Sequence, residues 1–177
     1  MRETQPGTTG GGELTHVDAR GRAHMVDVSA KPWTNRLALA RCRVVVPGLA
    51  AGAPAPAGVA GVAGEEPITW PELLATARLA GIQAAKRTSD LIPLCHQLTS
   101  SKVDVSLAIG EGCVEIEGTA QVVGPTGVEM EALTACAAAA LTVVAATQPA
   151  DPDVAIEDLT LWHKSGGKSG TWERAAD

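Results

Sequence analysis

Between residues 86 and 98 the chain reads Lys-Arg-Thr-Ser-Asp-Leu-Ile-Pro-Leu-Cys-His-Gln-Leu, which puts two cations, an acid, a thiol and an imidazole within eleven residues. Leu91, Ile92, Pro93 and Leu94 are apolar enough to draw this loop onto a core and hold His96 in place, so the stretch reads as one wall of a site. A packed turn with a satisfied histidine and an inert buried cysteine is the plain alternative. Cys95 and His96 do not form a nucleophile and its base, because neighbouring side chains generally point apart; His96 reads instead as a donor to a ligand.

Near the C-terminus, Lys164-Ser-Gly-Gly-Lys-Ser-Gly170 looks like a phosphate loop but fails that test. The first glycine of G-x-x-x-x-G-K-S would fall on Trp162, and no helix follows to offer its N-terminus. Backbone amides of Gly166, Gly167 and Gly170 beside Lys164 and Lys168 instead suit an anion-binding nest. Glu129 and Glu131 open a helix about 200° apart on the helical wheel, so a regular helix would not turn both toward one pocket. His16 and His24 lie near Asp18 and Asp27 without a regular ligand spacing, and no metal site is expected.

The elements that must position these residues follow from hydrophobic period and turn chemistry. Residues 1–13 are polar and Gly-rich and read as a disordered tail. Asp18 to Gly21 suits a turn, Met25 to Val28 a short extended piece, and Arg41 to Val46 a strand. Residues 47–67 are almost entirely Ala, Gly, Pro and Val, a low-complexity insertion. Thr69-x-x-Glu72 with Pro71 predicts a capped helix ending near Arg87, with Leu73, Leu74, Ala77, Ala80 and Gly81 at helical spacing. Val103 to Ile109 and Val114 to Glu117 alternate around Gly110-Glu111-Gly112 as a β-hairpin. A second box, Thr126-x-x-Glu129, predicts an Ala-rich helix from Gly127 to about Ala146, whose small Ala135, Ala138 and Ala139 let another helix approach closely. Val154 to Trp162 reads as a last strand, and residues 173–177 as a tail.

This order, βαββαβ, predicts an α+β, ferredoxin-like domain over residues 14–172, with a four-stranded antiparallel sheet and two helices on one face. The opposite face is then solvated or packed against another copy. At 177 residues the chain is about one domain in size. Its net charge of -6 and its lack of Phe and Tyr argue against nucleic-acid binding, so an anionic ligand must be met by a local basic cluster. The apolar run 132–146 is too short to span a bilayer. Four cysteines without a Cys-x-x-Cys pair, and no apolar leader after Met1, point to a cytoplasmic protein without disulfides.

Several longer stretches are familiar: Thr-His-Val-Asp, Met-Val-Asp-Val-Ser-x-Lys, Ala-Thr-Ala-Arg-x-Ala-Gly-Ile-x-Ala-Ala-Lys-Arg-Thr, Asp-Leu-Ile-Pro-Leu-Cys-His, Thr-Gly-Val-Glu-Met-Glu-Ala-Leu-Thr and Lys-Ser-Gly-Gly-Lys-Ser-Gly. Through them the chain resembles the MoaC family, the cyclic pyranopterin monophosphate synthases of molybdenum-cofactor biosynthesis. The resemblance implies a ferredoxin-like lyase that converts a cyclised dihydro-GTP into cyclic pyranopterin monophosphate with loss of pyrophosphate. It further implies a hexamer built as a trimer of dimers, with sites at subunit interfaces and no cofactor. Arg36, Lys86, Arg87, His96, Lys164 and Lys168 are implied around the triphosphate and base, with Leu94, Cys95 and His96 and with Met130 and Glu131 as binding segments. Glu129, in the same helical turn, is taken as a further binding position, and on the enzyme reading of this chain the acid-base work falls to Glu131 or His96.

The chain also departs from that pattern. The family's catalytic Asp and Lys, one helical turn apart near the end of the second helix, are Ala145 and Gln148 here. A Lys-Gly-Asp before the first helix is Trp70-Pro71-Glu72, and the Pro after His96 is Gln97. Loss of a proton-transfer group typically costs about 10²–10⁴-fold in rate. The alternative reading is therefore a degenerate paralogue that binds nucleotide or a partner subunit without turnover, or a lyase for a related cyclised nucleotide.

Overall fold

The computed structural model describes residues 16–18, 20–49 and 68–175. The expected N-terminal tail lies outside them, and so do residues 50–67 of the expected insertion. In the first strand, Ala38, Ala40, Cys42 and Val44 are buried and alternate with Leu39, Arg41 and Arg43, the period of two that a sheet with one covered face requires. This strand, β1, spans Thr34–Val45 and so begins seven residues before the Arg41 expected from the sequence. Its first half, with Leu37-Ala-Leu-Ala40, is rich in good helix formers, but pairing on both sides, with Cys113–Gly124 and with Ala155–Ser165, overrides that propensity.

The remaining elements are α1 (Trp70–Ala85), a single turn α2 (Thr88–Leu91), β2 (Lys102–Ile109), β3 (Cys113–Gly124), α3 (Glu129–Thr147), β4 (Ala155–Ser165) and β5 (Trp172–Glu173). The sheet order is β2-β3-β1-β4-β5, with every pair antiparallel. The expected four strands are thus five, because His163 and Lys164 pair with Glu173 and Trp172 and the Arg174 N–H donates to the Trp162 carbonyl at 2.9 Å. α2 is also additional; it tightens the start of the 86–98 stretch through the Ile92 N–H donating to Thr88 O at 2.8 Å. The α+β architecture is consistent with a ferredoxin-like type of fold.

At the start of α1 the Glu72 carboxylate accepts the Thr69 N–H at 2.8 Å and its hydroxyl at 2.7 Å, as the first capping sequence predicts. The second prediction fails. The N-cap of α3 is Val128, no side chain caps it, and the Glu129 carboxylate pairs with Lys164 instead. α3 lies on the covered sheet face with Ala132, Ala135, Cys136, Ala139, Ala140 and Val143 buried. α1 meets it where Gly81 faces Ala135 and Ala139; a β-carbon at Gly81 would stand 2.7 Å from the Ala135 carbonyl oxygen. α3 is long and apolar enough to cross a membrane, yet half of that apolar window is buried inside the protein, so it serves as the core helix.

On the opposite sheet face the charges are paired among themselves. Arg41 meets Glu117 at 2.8 Å and stacks over Trp162, 4.7 Å from the ring centre; Arg43 meets Glu157 at 2.8 Å and Asp158 at 3.1 Å. These pairs are exposed and add little stability. Arg41, Arg43, Glu117 and Asp158 line a concavity of about 460 Å³ together with Glu115, so it is net acidic and unsuited to a polyphosphate.

Candidate functional site

Beneath the N-terminus of α3 lies a cleft of about 230 Å³ lined by Leu94, Cys95 and His96 from the loop after α2 and by Glu129, Met130 and Glu131 from the first turn of α3. His16, Val26, Val28 and Lys31 from the N-terminal arm close it, with Thr126 and Gly127 at its rim. The arm is fixed by its own turn chemistry: the Asp18 carboxylate accepts the N–H of Arg20 and Arg22, each at 2.9 Å, and Gly21 takes a positive φ of 76°. Six of the residues expected from sequence therefore meet in one place. Sequence reasoning did not single out His16 or Lys31 as site residues. Lys31 does end the quoted Met-Val-Asp-Val-Ser-x-Lys motif, and that was the signal available for it.

Glu129 and Glu131 both reach this cleft, contrary to the helical-wheel expectation. Glu129 is the first residue of α3, so its side chain is free to fold back, and a β-carbon on Gly127 would collide with its carboxylate. The cleft wraps the helix end rather than one helix face. In this position Glu129 Oε1 lies 3.3 Å from Lys164 Nζ, which ties the cleft to the glycine loop.

That loop carries the second half of the site. Arg36 Nη2 donates to the Pro125 carbonyl at 3.2 Å, and its Nε is buried without a partner among the described residues. Gly166 and Gly167 pack against Arg36 at positive φ, 93° and 72°. Gly170 stands apart from the nest expected of it, since its N–H donates to Gly167 O at 3.3 Å. Arg36, Lys164 and the Gly166–Gly167 backbone thus form a compact cationic corner beside Glu129. A half-buried guanidinium whose buried Nε–H is unmet is the kind of group that a bound oxyanion satisfies. Lys86 and Arg87, at the C-terminal end of α1, are exposed and do not line the cleft; Lys168 is exposed as well. No carboxylate pairs with any of these three among the described residues.

Inside the cleft, electrostatics sorts the roles. Glu131 is 4% exposed, and this burial, followed by the nearby Glu129 charge, pushes its carboxyl up to about 7. At neutral pH it is part protonated and part ionised, as proton transfer in either direction requires. Burial, and then the Glu131 carboxylate, raises the Cys95 thiol, so Cys95 stays protonated and is a poor nucleophile. His96 Nε2 lies 2.9 Å from the Val26 carbonyl. A carbonyl only accepts, so Nε2 carries the proton, and the neutral ring offers Nδ1 as an acceptor. The donor role expected for His96 toward a ligand then requires the imidazolium.

The positions at which the chain departs from the family pattern lie elsewhere. The fourteen helical steps of α3 from Glu131 to Ala145 span ~21 Å. α1 runs antiparallel to α3, since its end leads through α2 to the cleft while Gly81 faces the middle of α3. Trp70, eleven residues before Gly81, is therefore ~16 Å back along α1, level with the C-terminal turn that carries Ala145 and Gln148. Trp70 is buried, whereas Ala145 and Gln148 are exposed. Within one protomer these three cannot touch whatever fills the cleft.

Comparison with known proteins gives a consistent assignment. The MoaC family profile matches residues 25–167. The chain is 47% identical to "cyclic pyranopterin monophosphate synthase 2" of Mycobacterium tuberculosis, with 92% of each chain covered. It is 48% identical to the cyclic pyranopterin monophosphate synthase of Thermomicrobium roseum, covering 93% of this chain and 95% of that one. With the protein of the same description from Streptomyces coelicolor the identity is 46%, over 97% and 99%. The match takes in the cleft apart from His16, the arm from Met25, the cationic corner and both ends of α3, and on that breadth the chain belongs to the MoaC family.

Proposed function

We propose that this protein acts as a cyclic pyranopterin monophosphate synthase of molybdenum-cofactor biosynthesis, a lyase that converts a cyclised dihydro-GTP to cyclic pyranopterin monophosphate and releases pyrophosphate. The observation that carries this reading is the adjacency of a neutral-range carboxyl, Glu131, to a cationic corner made by Arg36 and Lys164. The corner binds the polyphosphate through charge-assisted hydrogen bonds, with Lys86, Arg87 and Lys168 adding cations as the chain assembles. Leu94, Cys95, Glu129 and Met130 hold the heterocycle, while Glu131 and His96 move the protons. No cofactor or metal takes part.

A cleft of about 230 Å³ is smaller than the roughly 300–1,000 Å³ of typical small-molecule sites. The separation of the two ends of α3 points the same way: a complete site draws on more than one copy. We place it at a subunit interface of a homo-oligomer, a hexamer of three dimers in a cytoplasmic protein that engages neither nucleic acid nor membrane. The strand order β2-β3-β1-β4 with α1 and α3 on one face supports the ferredoxin-like plan for each protomer.

One observation favours a second reading. The far end of the helix layer presents Trp70, Ala145 and Gln148, none of which moves a proton near neutral pH, so the protein would bind the nucleotide without turning it over. Single-turnover conversion of cyclised dihydro-GTP decides between them, with Ala145→Asp plus Gln148→Lys as the comparison. Product from the natural chain is the expected result. No product from it, but product from the double variant, would establish the binding reading instead.

A further inference from the structure

Glycines at positive φ occur at several places in the described chain, and they differ in what surrounds them. Gly112, at 69° in the β2–β3 turn, has open space where a β-carbon would go. There, left-handed backbone is the whole reason for glycine. Gly167 has the same backbone and a second constraint. A β-carbon on it would fall on the Arg36 guanidinium, 2.7 Å even from Nη2, and one on Gly166 would fall on the Asn35 carbonyl oxygen and stand 3.2 Å from Arg36 Cδ. The guanidinium is therefore seated between this loop and the Pro125 carbonyl, which accepts from Nη2 at 3.2 Å. A planar fork meets an oxyanion well only in a fixed orientation, so whatever seats it sets the affinity.

We infer that Gly167 is a positioning residue: by lacking a β-carbon it seats the Arg36 guanidinium against Pro125 and so sets how tightly the cationic corner holds a polyphosphate. This deepens the proposed function and rests on its assignment of Arg36 to anion binding. Any side chain at 167 displaces the guanidinium. A lysine at position 36 has no planar group at that spot and tolerates the same side chain.

The test is calorimetric titration of the full-length protein with inorganic tripolyphosphate, alongside thermal melting of each variant. Arg36→Ala is expected to weaken binding about tenfold or more, the scale of a charge-assisted hydrogen bond. Gly167→Ala should match it, while Gly112→Ala leaves the affinity unchanged. In the Arg36→Ala background Gly167→Ala should add nothing, and in the Arg36→Lys background it should cost less than about twofold, because the clash is gone. Both double variants lack the clash, so they report even if Gly167→Ala alone folds poorly. Equal loss from Gly167→Ala in all three backgrounds would mean backbone strain alone and would overturn the inference while leaving the anion site standing. Binding that ignores Arg36 altogether would overturn both.

Discussion

At the N-terminal end of α3, a buried carboxyl, an imidazole and a thiol crowd one cleft with a cationic corner beside it, and Arg36 there keeps a buried N–H without an acceptor among the described residues. At the C-terminal end of the same helix, Val143, Ala146 and Leu73 fill the space, and the one buried hydroxyl, Thr147, donates to the Val143 carbonyl at 2.9 Å. Both ends belong to the same helix. The difference lies in whether polar groups are satisfied internally. Unsatisfied or desolvated groups cost stability, so a fold retains them where a ligand completes them. The packed end gives up chemistry and gains ordinary core energetics.

The largest expected effect tests that contrast on turnover. His96→Ala and Glu131→Gln should each lower single-turnover rates by about 10²–10⁴-fold, the range for loss of a proton-transfer group. Gln148→Ala, an exposed substitution at the packed end, should change the rate less than about twofold. Comparable losses at both ends would erase the distinction and show that Gln148 reaches the substrate in the assembly.

Next in size is a pH effect on stability. The Glu131 carboxyl titrates at about 7 when folded against an ordinary 4.5, so the folded state holds the extra proton between those values. Stability is full below about pH 4.5 and falls as pH rises toward 7, by about 3 kcal/mol in all for a shift of this size. Glu131→Gln should remove that slope, which urea denaturation at pH 5 and pH 8 measures. The same variant thus loses activity and gains relative stability at pH 8, a pairing that a merely structural glutamate would not give. An unchanged slope in the variant would mean that the cleft carboxyl is solvated and the contrast between the ends is smaller than drawn.

The hairpin, the Thr69–Glu72 cap and the close approach over Ala135 and Ala139 were legible because each depends on local chemistry: alternation, a capping residue, absence of bulk. β1 was legible only in its second half. Residues 34–40 become strand through partners more than seventy residues away, and local propensity carries no trace of them. The site shows the same division. Leu94 to His96 and Glu129 to Glu131 were visible as residue clusters, but whether Glu129 caps its helix or folds back to Lys164 is decided by β4, which no window around Thr126 contains. The arm's contribution, His16 and Lys31, lies inside two of the familiar stretches, but irregular chain carries no period from which to read that these side chains face the cleft.

The smallest effect probes the one irregularity at the packed end. Trp70 is 6% exposed, and its indole N–H has no partner among the described residues. Trp70→Phe removes that orphan donor, which relieves a penalty of about 1–3 kcal/mol. It also leaves a void where the second ring was, with a cavity cost of about 24 cal/mol per Å³ that offsets much of the gain. Chemical denaturation should therefore find the variant within about 1 kcal/mol of the natural chain. A loss well beyond that would mean that the indole N–H is not an orphan in solution and that a neighbouring copy supplies its acceptor. The packed end would then be an interface, and the two ends of α3 would meet across it, one from each protomer.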